Sequence, residues 1–165
     1  MPLLADVSTL DKLRALVGQQ VLLTDWVTMA QPRVDLFAQA TEDFQWIHVD
    51  PARATQESPF GGTIAHGFLT LSLLGKFYGD HLSFPFCEMG INYGLNKVRF
   101  TNPVRTGRRV RGRFVLRKLE EIAGGLQMTY AVTIEIDGED KPACIAESVV
   151  RQYFKPAFGS EGGAR

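Results

Sequence analysis

Cysteine is scarce in this chain: there are two, Cys87 and Cys144, and neither belongs to a C-x-x-C pair or a Cys/His cluster. That leaves no zinc site and no disulfide framework on which to build a fold. Both are read as reduced thiols, and the expected compartment is the cytoplasm. An excess of either charge is also missing, since 18 Lys and Arg offset 18 Asp and Glu. Nothing global would neutralise a phosphate backbone, so nucleic acid is not an expected partner. No apolar run approaches the roughly 18 residues of a membrane-crossing helix. The N-terminal MPLLADVSTLDKLRALVG carries Asp6 and Asp11 where a secretory signal would be basic and then apolar. No membrane association is expected. Gly75-Lys76 lacks both the spacing and the preceding strand of a phosphate-binding loop, and G-x-G-x-x-G does not occur. Nucleotide hydrolysis and hydride transfer are disfavoured. There is no internal repeat and no low-complexity segment.

What is present is the mix of a soluble globular domain: 165 residues, 45% apolar and 22% charged. One domain is assigned to residues 1–154, with the glycine-rich 155–165 as a flexible tail. Ser8 or Thr9 is placed to cap a short helix carrying Leu10, Leu13, Leu16 and Val17 on one side, with Gly18 as its stop. Val21 to Met29 reads as one strand. Thr28 is a candidate cap for a helix over Pro32 to Thr41, and Asp50-Pro51 starts a further short turn. From Gly67 to Tyr78 the chain is apolar nearly all round, which predicts a helix enclosed by other structure. Four segments rich in Val, Ile, Tyr, Phe and Thr follow, over 89–101, 109–119, 126–137 and 143–154, with Gly124-Gly125 and Asp137-Gly138 as turns. The pattern is α+β, an antiparallel β-sheet wrapped around a long central helix. Such a sheet leaves edges and a face to cover with no second helical layer available, so a homodimer is expected.

The most informative stretch is FAQATEDFQWIHVDPARATQESPFGGTIAHGFLTLSLL, from Phe37 to Leu74. Five residues turn a helix by about 500°, which leaves Asp43 and His48 about 140° apart. In a strand, odd spacing would put them on opposite faces. They meet only if the chain bends between them, as on a loop or broken helix, where catalytic groups tend to sit. Spacing alone leaves open a plainer reading, in which Asp43 caps a turn and His48 is a satisfied, half-buried histidine. Gly67 opens the helix, so its N–H is one of the donors that a helix leaves free. Helped by the helix dipole, it suits an oxygen acquiring negative charge, and glycine admits close approach.

The block Asp43-x-x-x-x-His48, Asp50-Pro51 and Ile64-Ala65-His66-Gly67 resembles the signature of the MaoC-like (R)-specific enoyl-CoA hydratases, or hydratase 2. Val98-Arg99-Phe100 and Pro103-Val104-x-x-Gly107 are similar to that family's strand and turn after the long helix. TEDFQWIHVDP and INYGLNKVRF look most like the subgroup of mycobacterial hydratases and nodulation protein N. The resemblance covers about residues 20 to 154 and implies a single hotdog fold. It further implies addition of water to a trans-2-enoyl-CoA to give the (R)-3-hydroxyacyl-CoA, reversibly. Asp43 and His48 would hold one water, and the Gly67 backbone would serve as oxyanion donor.

CoA is then part of the substrate, and no metal and no other cofactor is expected. Candidate substrate contacts are His66, Trp46, Phe60 and Phe68, with His66 equally suited to fixing the start of the helix. Lys97 and Arg99, in a basic patch with Arg105, Arg108 and Arg109, are candidates to meet CoA phosphates. Asp50 reads as a helix cap. Two departures stand out: Gln45-Trp46 where many relatives have Asn-Pro, and Gly75 where many have a serine, whose place Ser72 or Thr70 is positioned to take. An acyl-CoA thioesterase and a non-catalytic acyl-CoA-binding hotdog protein are the alternatives, because a fold does not fix a reaction.

Overall fold

The structure, a computed structural model, describes residues 3–156. The tail expected over 155–165 lies, from residue 157 on, outside the described residues. The elements run β1 (Leu3–Leu4), α1 (Leu10–Ala15), β2 (Gln20–Leu23), β3 (Val27–Thr28), α2 (Gln31–Thr41), α3 (Trp46–Val49) and α4 (Pro51–Glu57). They continue with α5 (Gly67–His81), β4 (Cys87–Phe100), β5 (Arg109–Ile122), β6 (Gly125–Ile136) and β7 (Cys144–Phe154). One antiparallel sheet has the order β1-β2-β5-β6-β7-β4, with β3 also paired to β5. Strand β4 follows the long helix in sequence but lies at the far edge beside β7, so the sheet curls around α5 before it ends. This is the hotdog arrangement.

The inward face of the sheet alternates as a half-buried sheet should. Val110, Phe114 and Leu116 of β5 are buried with Leu126, Met128, Tyr130, Val132, Ile134 and Ile136 of β6. Against them α5 presents Leu69, Leu73, Leu74 and Phe77. Gly112 makes close packing over β5 attainable: a Cβ there would stand 2.5 Å from the Phe114 ring and 2.9 Å from Phe77. Helix α5 is less enclosed than its composition suggests. Phe68, Gly75, Lys76 and Gly79 are exposed, because the sheet of a single chain covers one face only.

Two other expectations are corrected. The strand expected over Val21 to Met29 is broken at residues 24–26, because the Thr24 side chain enters the ladder. Its hydroxyl accepts from Gly112 N at 2.9 Å and donates to Asp25 O, while Thr24 N bonds Gly112 O. Thr28 lies in β3 and caps nothing. Met29 is tied to the turn before β5 through Met29 N to Arg108 O and Gly107 N to Met29 O, so the cap position of α2 falls two residues later, at Ala30, with Pro32 in its first turn. Thr9 caps α1 by accepting from Lys12 N, and Asp50 caps α4 by accepting from Arg53 N. No helix among the described residues is long and apolar enough to cross a membrane.

Thr24 is 3% exposed, so Thr24→Val would leave the buried Gly112 N–H without its side-chain acceptor. A loss of about 1–3 kcal/mol of unfolding free energy is expected. Urea denaturation with an unchanged m-value checks it.

Candidate active site

The bend required between Asp43 and His48 is made in two steps. Glu42 takes a left-handed conformation (φ 59°), unique among the described non-glycine residues, and so stops α2. Asp43 Oδ1 then accepts from Gln45 N across a long 3.4 Å, an Asx-type turn. A single helical turn, α3, follows, closed by His48 N to Gln45 O at 2.9 Å. The reversal brings a carboxylate oxygen of Asp43 and one ring nitrogen each of His48 and His66 within 4.8 Å of one another.

His48 is buried, and its Nδ1 lies 2.7 Å from Ile64 O. A carbonyl can only accept, so Nδ1 carries the proton and Nε2 keeps the lone pair. Burial is the largest influence on this group and pushes its pKa below the ordinary histidine value. His66 pushes the same way, against the opposing pull of the Ile64 carbonyl and Asp43. At neutral pH His48 is therefore a neutral base of fixed tautomer.

His66 is also buried and forms the N-cap position of α5 with no capping bond from its side chain. Its Nε2–H donates to Asp43 O at 3.0 Å and lies 3.9 Å from Asp43 Oδ2. Its ring stacks on His48 with centroids 3.8 Å apart and planes at 28°, and Phe37 packs on it at 5.1 Å. His66 Nδ1 has no hydrogen-bond partner among the described residues.

Asp43, His48 and His66 are the obvious group to test for a metal, and their geometry does not fit one. Imidazole lone pairs lie in the ring planes, so two rings stacked within 28° of parallel direct them almost alongside each other. A tetrahedral ion needs them to converge at about 110°. Binding would require the stack to open.

Gly67 is the first residue of α5, and the N–H groups of Gly67, Phe68 and Leu69 have no acceptor among the described residues. A Cβ on Gly67 would stand 2.8 Å from the Phe100 ring, so the close approach there requires glycine. His48 and Gly67 line the same cleft, of about 310 Å³, together with Phe60, Ile64, Thr70 and Phe100. A base of defined tautomer thus faces a free helix terminus across a small, mainly apolar space.

The other expected residues fall in different places. His66 and Trp46 do not line the cleft; Trp46 is half-buried under the Arg53 guanidinium at 4.3 Å. Phe68 is 69% exposed and meets Phe100 edge-on at 5.6 Å. Lys97 and Arg99 are exposed on the outer side of β4, opposite Glu147 and Ile145. The basic patch is dispersed: Arg109 pairs with Asp137, and Arg105 donates to Gly61 O at 2.7 Å, pinning the loop that carries Phe60. Neither hydroxyl near Gly75 reaches the pair, since Ser72 bonds Leu69 O and Thr70 bonds His66 O. Ile64 and Phe100 are site residues that no chemical signal marked, whereas Arg105, read as part of the basic patch, is engaged by the Gly61 carbonyl. Ile64 acts through its carbonyl, and a carbonyl is invisible to residue type.

A sheet curled around one helix, with Asp43 and His48 brought together beside that helix's N-terminus, defines a hotdog-fold protein. The chain belongs to the family of the MaoC like domain, whose model matches residues 12–137. It is 49% identical over 157 residues to nodulation protein N of Rhizobium meliloti, covering 94% of this chain and 98% of the relative. It is 51% identical over 140 residues to 3-hydroxyacyl-thioester dehydratase Z of Mycobacterium tuberculosis, covering 84% and 92%. Among solved structures it is similar to the (R)-hydratase from A. caviae involved in PHA biosynthesis, with a TM-score of 0.64 and 28% identity over 81% of this chain and 94% of that one.

Because the folded-state pKa of His48 lies below its unfolded value, the unfolded chain takes up a proton that the native one resists. Stability is unaffected well above about pH 6.5 and falls as the pH drops below it. Urea midpoints at pH 7.5 and 5 should show this fall, and His48→Gln should make it shallower.

Proposed function

We propose that the protein is an (R)-specific enoyl-CoA hydratase, interconverting a trans-2-enoyl-CoA and the (R)-3-hydroxyacyl-CoA. The observation that carries this reading is the convergence of Asp43 and His48 beside the cleft into which the Gly67 terminus opens. With the thioester oxygen at Gly67 N–H, a water held between Asp43 and His48 adds through its oxygen to the β-carbon. The proton it loses passes to the pair, and a proton is returned from the pair to the α-carbon. Negative charge on the thioester oxygen is met meanwhile by the helix terminus. Delivery of both parts from one side makes the addition syn. The chemistry needs no metal and no redox cofactor. The names of the dehydratase and (R)-hydratase relatives support the reaction class and the stereochemistry. A second cavity of about 380 Å³, lined by Gly75, Tyr78 and Gly79 among others, begins eight residues along α5, about 12 Å from Gly67, and is available to an acyl tail. Both thiols are free, which agrees with work in the cytoplasm.

Asp43→Asn and His48→Gln should each lower crotonyl-CoA hydration by about 10²–10⁴-fold with folding retained by circular dichroism. Wild-type kcat in both variants would defeat the reading. Release of free CoA thiol by the wild-type protein would point to a thioesterase, and tight acyl-CoA binding with no turnover on any chain length to a binding protein.

The active form is proposed to be a homodimer. Strand β4 is an unpaired edge on which Met89, Ile91, Tyr93 and Leu95 are 42–56% exposed, next to the open face of α5. Irregularities at Cys87/Met89, Asn92/Gly94 and Leu95/Lys97 break its ladder, which discourages indiscriminate strand addition while leaving an apolar patch for one matching surface. Light scattering should give twice 18.3 kDa, and Ile91→Asp should shift the mass toward the single chain. A wild-type monomer would refute the dimer.

A further inference from the structure

His66 is the buried titratable group to which the proposed reaction gives no part, and its contacts are not those of a packing residue. Its single N–H is committed to the backbone carbonyl of Asp43 at 3.0 Å rather than to the carboxylate, of which Oδ1 takes only the long contact from Gln45 N and Oδ2 is left for water. Its face lies against His48 at 3.8 Å. Its own backbone leads directly into Gly67. The remaining nitrogen, Nδ1, is buried without a partner. A phenylalanine or leucine would fill the same space without a desolvated lone pair, so packing alone does not account for a histidine here.

We propose that His66 is a positioning residue that fixes Asp43, His48 and the Gly67 N–H relative to one another. The inference rests on the hydratase reading. One imidazole bridges two chain segments distant in sequence: the Asx turn hangs from its N–H, His48 lies on its face, and the helix terminus is covalently attached. The Ile64 carbonyl sets the tautomer of His48, and the stack sets the plane of its ring. The titratable groups in contact with His66 are Asp43 and His48; the third ring against it, Phe37, is apolar.

Two substitutions separate the two contacts. His66→Phe keeps a ring for the stack and removes the N–H, whereas His66→Gln keeps an amide donor and removes the ring. In each, kcat for crotonyl-CoA should fall about 10–100-fold, as expected for small displacements of reacting groups, with KM within about threefold of wild type. In His66→Phe the acid limb of the kcat/KM profile should move to higher pH, because an imidazole that disfavours protonation of His48 is gone. The same shift should appear in the His48 titration followed by NMR in the substrate-free protein. A folded His66→Phe protein with wild-type kcat and an unshifted His48 titration would overturn the proposal, and so would a loss confined to KM. A wild-type protein unable to hydrate crotonyl-CoA would defeat the hydratase reading instead, with the substrate-free titration still deciding the role of His66.

Discussion

The run from Ile64 to Gly67 is the constraint on which the site depends. Ile64 bridges Arg105, with its N–H on Ile47 O and its carbonyl on His48 Nδ1, and Ala65 N bonds Val104 O. Residues 64–66 are thus held between the α3 turn on one side and the 104–105 segment on the other. Only then does the chain turn into α5. Because the backbone is tied before the helix starts, the helix N-terminus cannot drift relative to His48. The proposed base and oxyanion donor share one rigid mount, at the precision that proximity effects demand.

Seen from that mount, the electrostatics follow from burial rather than from ion pairing. His48 is held neutral by desolvation, and its tautomer is chosen by a backbone carbonyl. Asp43 is about half exposed and has no lysine or arginine partner among the described residues. An arginine beside the pair would hold the carboxylate in its charged form and weaken it as a proton acceptor. Arg53 and Arg105, on the neighbouring segments, are occupied by Glu57 with the Trp46 ring and by Gly61 O respectively. In the proposed reaction the neutral His48 imidazole, the Asp43 carboxylate and the α5 terminus are then the groups for moving a proton and receiving an enolate.

How much of this was legible in the sequence depended on whether the signal was a side chain or a backbone group. The long helix, the four strands after it and the Thr9 and Asp50 caps were readable, because apolar periodicity and capping chemistry are written in residue types. The need for a bend between Asp43 and His48 followed from helix geometry alone. Its means did not, since nothing about glutamate announces a left-handed residue at 42. The break at Thr24 was hidden because threonine favours strands and only its particular bond to Gly112 N turns it into an interruption. The basic patch is dispersed for a related reason: Lys97, Arg99, Arg105 and Arg109 are close in sequence, but β4 and β5 are separated by β6 and β7 and Arg105 lies on the loop between.

The departures at residues 45, 46 and 75 take on a specific meaning in this setting. Trp46 does not intrude on the cleft, because α3 turns it outward under Arg53, so the bend tolerates a large residue where a proline would have stiffened it. Gly75 lacks a hydroxyl, and neither Ser72 nor Thr70 supplies one to the pair, as both bond back to carbonyls of their own helix turn. Support for Asp43 must therefore come from the other side, and the group standing there is the His66 N–H. Support by a backbone-directed bond constrains the aspartate's position without occupying its carboxylate. The absence of a side chain at Gly75 meanwhile leaves open the cavity farther along α5. A histidine at the helix cap thus holds the aspartate through its backbone and leaves the carboxylate to face the cleft's edge.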